Sequence, residues 1–297
     1  MPALAATCEK GYRNVEVRIG ISRLRCISRK IARIVLGEDI LVRSGTLQRM
    51  LAYSVNGEQI SDSNLIVPLE YERNSVIGTR LFYNGEFEEN EIAFVTDLLQ
   101  HSRNPTVLDI GANIGWHAIC WAVACSGARV YAFEPSTKTA VLLKTNAALN
   151  GVEAQIKCVP CAVSDQEGVA DFHECEDSGY SSLKDTKRKK VISKVSVPVI
   201  TIDRFVEEEG ITQLAVIKID VEGLETEVLR GALRTLETMS PDVVVEIYRG
   251  KASNPNPEET IRLMQSVGYK AFHWKNGNIV PHSIHSDKYF NYYFTKR

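Results

Sequence analysis

No stretch of this 297-residue chain approaches the roughly 18–20 consecutive apolar residues that cross a bilayer, so no membrane-spanning helix is expected. No secretory leader is visible, and the seven cysteines are an odd number, so a disulfide framework is not expected either. Reduced thiols and a cytoplasmic location fit that usage. A basic excess is also missing. The net charge is −2 and the pI about 6.3, which disfavours nucleic acid as the main partner. There is no internal repeat and no low-complexity tract. Cys158-Val-Pro-Cys161 has the C-x-x-C spacing but no second pair to complete a zinc site; in an extended apolar run it reads as buried strand thiols. No metal site is predicted, although carboxylates described below leave a divalent ion open. Oligomeric state is not legible.

What is there is an ordinary globular composition, 44% hydrophobic and 24% charged. From Thr106 onward apolar strands alternate with helical patterns, which predicts an α/β fold with a mainly parallel sheet covered on both faces. The expected strands are Val107–Asp109, Val130–Phe133, Gln155–Ala162, Leu214–Ile219, Val243–Ile247, Lys270–His273 and Tyr289–Phe294. The expected helices are Glu88–Gln100, Asn113–Cys125, Ser136–Asn150, Gly223–Thr238 and Pro257–Val267. Two extra runs, Val169–His173 and Lys194–Ile202, bracket a basic cluster of Lys184, Lys187, Arg188, Lys189 and Lys190. Such a cluster is read as a solvated loop, with attraction of a phosphorylated or nucleotide-linked acceptor as the sharper alternative. Residues 1–79 read as an N-terminal helix and small β cap, and 80–297 as the main domain. Strands are expected at Ile40–Arg43, Met50–Val55 and Leu65–Pro68. Lys10–Arg33 carries eight cations against one acid. A helix packed on the core is the favoured reading, and contact with an anionic membrane through residues 10–36 the alternative.

The sharpest signal is Val107-Leu108-Asp109-Ile110-Gly111-Ala112-Asn113-Ile114-Gly115. An apolar strand ends in an acid, a glycine-punctuated turn follows, and a helix begins. Nineteen residues past Gly115 a second strand ends in Glu134. Such a unit holds an adenosine-containing cofactor at the carboxyl ends of parallel strands, with glycines admitting the ligand to the backbone and Glu134 accepting both ribose hydroxyls. The loop is D-x-G-x-N-x-G, not the G-x-G-x-x-G of nicotinamide enzymes. Asp109 would repel a pyrophosphate and suits the amino group of S-adenosylmethionine.

A second constellation is Lys218-Ile219-Asp220-Val221-Glu222-Gly223. In an open α/β sheet this strand tip faces the crevice beside the first strand. Asp220 and Glu222, two apart on an extended chain, can point to one side and keep a base poised. Glu225 and Glu227 suit a helix N-terminus. Glu246 ends the next strand, with Lys218 as a possible partner. Ser178-Gly179-Tyr180-Ser181-Ser182 is a polar segment near the same edge.

With these residues in place, the chain resembles the FkbM-type family of S-adenosylmethionine-dependent methyltransferases. The matching segments are 84–88, 108–115, 132–135, 162–165, 201–205, 217–223 and 229–232, in order along the chain. The resemblance implies a class I methyltransferase (Rossmann-like) fold with a seven-stranded sheet whose last strand is antiparallel. It implies O-methylation of a hydroxyl on a small molecule, sugar or natural product, leaving S-adenosylhomocysteine. An amine or carboxylate acceptor, or cofactor binding without turnover, are the alternatives. By position it places Asp109 and Gly111, with Asn113 and Gly115 of the same loop, against the methionyl part, Glu134 at the ribose, Ala162 near the adenine and Glu88 near the methionyl end. The expected acceptor side is Asp220 or Glu222 as base, with Lys218 and Glu246 holding the carboxylates. Where the family often has Glu-x-His, this chain has Glu246-Ile247-Tyr248, so no histidine base stands there.

Overall fold

A computed structural model describes residues 75–84, 87–250, 254, 256–275, 278–286 and 288–297. The basic Lys10–Arg33 segment and the three strands expected between residues 40 and 68 lie outside the described residues. The chain divides into two compact units. In the smaller, the described part includes helix α1 (Val76–Asn84), whose start is capped by Ser75 Oγ accepting from Gly78 N at 2.9 Å. The larger contains residues 90–297. Among the described residues no helix is long and apolar enough to cross a membrane.

Helix α2 (Glu89–Gln100) leads into the larger unit. There the chain runs β1 (Thr106–Ile110), α3 (Trp116–Ala124), β2 (Arg129–Phe133), α4 (Thr137–Leu149) and β3 (Ile156–Val159). It continues through β4 (Ala162–Val163), β5 (Gly168–Cys175), a 3₁₀ turn (Ser178–Tyr180), β6 (Val191–Ile200) and α5 (Ile202–Glu208). The last part is β7 (Val216–Ile219), α6 (Glu225–Arg230), α7 (Leu233–Thr238), β8 (Asp242–Glu246), α8 (Pro257–Ser266), β9 (Lys270–Lys275), β10 (Asn278–Pro281) and β11 (Asn291–Thr295).

The main sheet has the order β10-β9-β11-β8-β7-β1-β2-β3. Pairings from β3 through β8 are parallel, and β11 runs antiparallel to both β8 and β9. The sheet therefore has eight strands, not the expected seven. The eighth, β10, is the return arm of a hairpin with β9 and lies at the sheet's edge. A second sheet, β4-β6-β5, accounts for the extra runs.

Alternation along the strands sorts the core onto two faces. Leu108, Ile110, Ile217, Ile219, Val243 and Val245 pack with Phe205 of α5, Leu229 of α6 and Met264 of α8. Val107, Val216 and Val244 pack on the other face with Leu99, Trp121 and Leu143 of α2, α3 and α4. Both faces are covered, which is why β1, β7 and β8 read as near-continuous apolar runs.

Other expectations are corrected by local geometry. The Gln155–Ala162 run is not one strand: β3 ends at Val159, and Pro160 precedes a crossing into the second sheet. The Gly223–Thr238 helix starts later and breaks, giving α6 and α7 with Gly231 between them. The break has a packing cause. A Cβ on Gly231 would lie 2.2 Å from the Ser164 carbonyl oxygen, and the Gly231 carbonyl accepts from Asp203 N at 2.9 Å. Helix α5 was not anticipated; its start is capped by Thr201, whose Oγ1 accepts from Arg204 N at 3.1 Å.

Gly231→Ala is expected to lower the unfolding free energy by about 1–3 kcal/mol, as overpacking against a backbone does. Urea denaturation checks it; wild-type stability would mean that the 163–165 segment yields freely.

Candidate active site

The main-sheet order reverses at β1, which has β2 on one side and β7 on the other. The crevice beyond the carboxyl ends of these strands is where ligands sit in such sheets. The sequence places Asp109, Lys218, Asp220 and Glu246 on the tips of β1, β7 and β8.

Asp109 and Lys218 are direct partners in the β1–β7 register. Both are buried, and Lys218 Nζ stands 3.8 Å from Asp109 Oδ1. Neither Asp109 side-chain oxygen has a hydrogen-bond partner within ordinary range. Burial pushes the Asp109 carboxyl above its usual value, against the pull of Lys218 and His117. An ionised carboxylate left without hydrogen bonds in the interior is costly. An ammonium group on a ligand would relieve that cost, so this observation fits the amino group of S-adenosylmethionine.

Past Asp109 the chain turns at left-handed φ three times: 82° at Gly111, 49° at Asn113 and 87° at Gly115. That is why α3 starts at Trp116 and not at Asn113. The glycines also answer a packing requirement. A Cβ on Gly111 would lie 1.9 Å from the Asp220 carbonyl oxygen, and one on Gly115 2.9 Å from Leu143. Both meet protein, so these glycines let β1 approach β7 and α3 approach α4.

Glu134 is buried at the tip of β2. It accepts from Asn113 N at 3.0 Å through Oε2 and from Ser136 N at 2.9 Å through Oε1. Burial lifts its carboxyl to about 7, with the two N–H donors pulling the other way. Its oxygens have lone pairs left for ribose hydroxyls. Ala162 is buried in β4, three residues past the end of β3. Glu88 lies in the smaller unit, at φ 52° just before α2.

On the acceptor side Asp220 receives Lys218 Nζ at 3.1 Å and shares a hydrogen bond with Glu246. Lys218 thus pairs with Asp109 and Asp220, while Glu246 bonds Asp220. Burial works to raise the Asp220 carboxyl, yet Lys218, the bond to Glu246 and His117 hold it below the usual carboxylate range. The favoured location of the charge is Asp220.

Glu222 takes a different course. Its φ is 57° and that of Gly223 is 103°, so strand alternation ends before it and it does not stand beside Asp220 as an extended chain would put it. Its Oε2 accepts from Arg188 Nη1. Burial and the Asp220 charge push its carboxyl to about 8. Glu225 is buried at the start of α6 and accepts from Gly223 N at 2.7 Å; burial raises it to about 7.

The segment between β5 and β6 closes over both tips. Ser178 Oγ donates to Asn113 Oδ1 at 3.3 Å. Ser182 Oγ donates to the Val221 carbonyl at 2.9 Å, and Lys184 bonds the Gly223 carbonyl at 3.1 Å and Glu227 at 2.9 Å. Lys187 pairs with Asp185. Three of the cluster's five cations are therefore paired with acids, while Lys187, Lys189 and Lys190 remain exposed, as expected of a solvated loop. Arg188 and His117 were not singled out. A helix-start histidine beside a strand-tip acid was the available signal for His117. Arg188 had none beyond its charge.

Glu134, Glu222 and Glu225 bind protons more tightly folded than unfolded, where the value is about 4.3. Their stabilising contribution is present below that value and lost as pH rises through about 7 to 8. The ligand-free protein is expected to melt at a lower temperature at pH 8 than at pH 5.5. A melting temperature that climbs over that interval would contradict the burial of these carboxyls.

Three curated relatives share this framework. Methyltransferase sdnD of Sordaria araneosa is 25% identical over 229 residues, covering 68% of this chain and 86% of that protein. Hexuronic acid methyltransferase AglP of Haloferax volcanii is 30% identical over 171 residues, 57% of this chain and 66% of that protein. The 2-O-methyltransferase NoeI of Sinorhizobium fredii is 26% identical over 147 residues, 45% and 59%. Among solved structures, methyltransferase FkbM of Methylobacillus flagellatus matches at a TM-score of 0.44 and 14% identity, covering 66% of this chain and 44% of that one. The methyltransferase FkbM domain model matches residues 109–271, more than half of the chain, and the protein belongs to that family.

Proposed function

We propose that the protein transfers a methyl group from S-adenosylmethionine to a hydroxyl of a small molecule, a sugar or a natural product. The observation that carries this reading is the buried Asp109, whose oxygens have no hydrogen bond within ordinary range, in register with Lys218 of the Lys218–Asp220–Glu246 group. Relatives named for 2-O-methylation and for hexuronic acid methylation support the acceptor class.

When bound, S-adenosylmethionine supplies a methyl on a positively charged sulfur, which leaves as the neutral thioether of S-adenosylhomocysteine. Asp109 would hold the amino group, Glu134 the ribose, and the Gly111–Gly115 turn the methionyl part, with Ala162 by the adenine. Asp220 accepts the acceptor's hydroxyl proton. A carboxylate kept anionic by Lys218 suffices, because the hydroxyl becomes strongly acidic as its oxygen bonds to carbon. Glu246 donates to Asp220 and fixes its orientation. Glu222 is the weaker candidate for the base, since it is ion-paired to Arg188 and held near protonation.

Calorimetric titration with S-adenosylhomocysteine is expected to give equal binding to wild type and Asp220→Asn, and binding weakened at least roughly tenfold in Glu134→Ala. Turnover on a panel of sugars and natural-product alcohols is expected to fall about 10²–10⁴-fold in Asp220→Asn. Near-normal turnover there would remove the base assignment. No binding to wild type would remove the cofactor reading.

A further inference from the structure

The methyltransferase reading leaves Arg188 unexplained. Its guanidinium carbon lies over two aromatic rings, 4.6 Å from the Tyr180 centroid and 4.4 Å from that of Tyr248. Tyr248 contacts Phe290 in turn, with ring centroids 5.5 Å apart. A cation over two rings is held by their electron-rich faces and fixed in plane. Such a guanidinium can make new contacts only through its edge. One edge donor, Nη1, goes to Glu222. Among the described residues Nε and Nη2 have no hydrogen-bond partner, and the side chain keeps 26% of its exposure. Arg188 also lies within electrostatic reach of Glu246, which puts it beside the proton-accepting carboxyls. Lys189 adds a second cation, with Nζ 5.4 Å from the Tyr180 centroid.

Two facts favour an anionic ligand here over a purely structural role. Glu222 is pushed to about 8, so near neutral pH it does not fully cancel the Arg188 charge. And an ordered guanidinium with a free two-donor edge matches a carboxylate or phosphate better than any neutral group. Next to it Tyr248 and Phe290 remain 37% and 44% exposed, offering apolar faces on which a ring can lie.

We infer that Arg188 determines acceptor specificity. The acceptor carries an oxyanion, a carboxylate or a phosphate, that seats on the Nε/Nη2 edge while its ring packs on Tyr248 and Phe290. The inference rests on the methyltransferase reading and narrows its acceptor class.

The test is calorimetry on protein saturated with S-adenosylhomocysteine, using methyl glucuronide, glucose 6-phosphate and methyl glucoside as probes. At least one anionic sugar is expected to bind wild type roughly tenfold or more tightly than the neutral one, the scale of one charge-assisted hydrogen bond. Which of the two does so identifies the oxyanion. Arg188→Gln should erase the preference while leaving S-adenosylhomocysteine binding intact, and Arg188→Lys should restore part of it. Equal binding of all three sugars, no binding of either anionic sugar, or a preference that survives Arg188→Gln overturns the inference. Failure of wild type to bind S-adenosylhomocysteine would overturn the methyltransferase reading, and this inference with it.

Discussion

The site depends on a ladder of buried charge across the ends of three parallel strands. Asp109 on β1, Lys218 and Asp220 on β7 and Glu246 on β8 alternate in sign or share a hydrogen bond, and Asp109 and Lys218 are nearly inaccessible to solvent. Taking these groups out of water is expensive, and replacing such pairs with apolar residues is often neutral or stabilising. A fold built only for stability would carry apolar residues here, as β1 and β7 do on either side of Asp109 and Lys218. Lys218 is what permits the arrangement. It offsets two carboxylates and satisfies only one by hydrogen bonding, so Asp109 keeps its oxygens for a ligand while Asp220 keeps its charge.

The rest of the site is arranged around that ladder by chain that lies far away in sequence. The β5–β6 insertion reaches the cofactor turn through Ser178 on Asn113 and the β2 tip through Glu174, whose carboxylate accepts from Ser136 Oγ at 2.6 Å. It reaches the β7 turn through Ser182, Lys184 and Arg188. The Ser182 and Lys184 bonds satisfy backbone carbonyls that the left-handed turn at Glu222 would otherwise leave open. One segment thus braces both the β1–α3 turn and the β7–α6 turn.

Sequence reasoning reads what is periodic or local. The parallel strands, the cofactor turn and the acids at Asp109, Glu134 and Asp220 were legible because each ends an apolar run where the chain must turn. The eighth strand was not, because β10 is a short hairpin arm at the edge whose apolar content is Ile279 and Val280. The split of α6 from α7 was hidden for another reason. Gly231 sits in an otherwise helical pattern, and its requirement comes from Ser164, 67 positions earlier, which no local pattern records. Glu222 was misplaced by extending strand alternation one residue pair too far, past the point where φ turns positive. Arg188 was invisible as an individual within a run of cations.

The two acids of the β7 turn show how one short segment divides its chemistry. Asp220 and Glu222 stand two apart, and burial works to raise both. Asp220 faces Lys218 and a donated hydrogen bond, and stays anionic. Glu222 faces the Asp220 charge on one side and Arg188 on the other, and the repulsion together with burial outweighs the pair. Environments that push two neighbouring carboxyls in opposite directions assign them different work. The lowered one can receive a proton from an acceptor; the raised one can hold a cation in place without fully neutralising it. The backbone contributes to the division, since strand alternation ends before the left-handed step at Glu222, whose carboxylate reaches Arg188 of the insertion. A single ψ/φ change thus keeps the base and the cation holder from competing for the same charge.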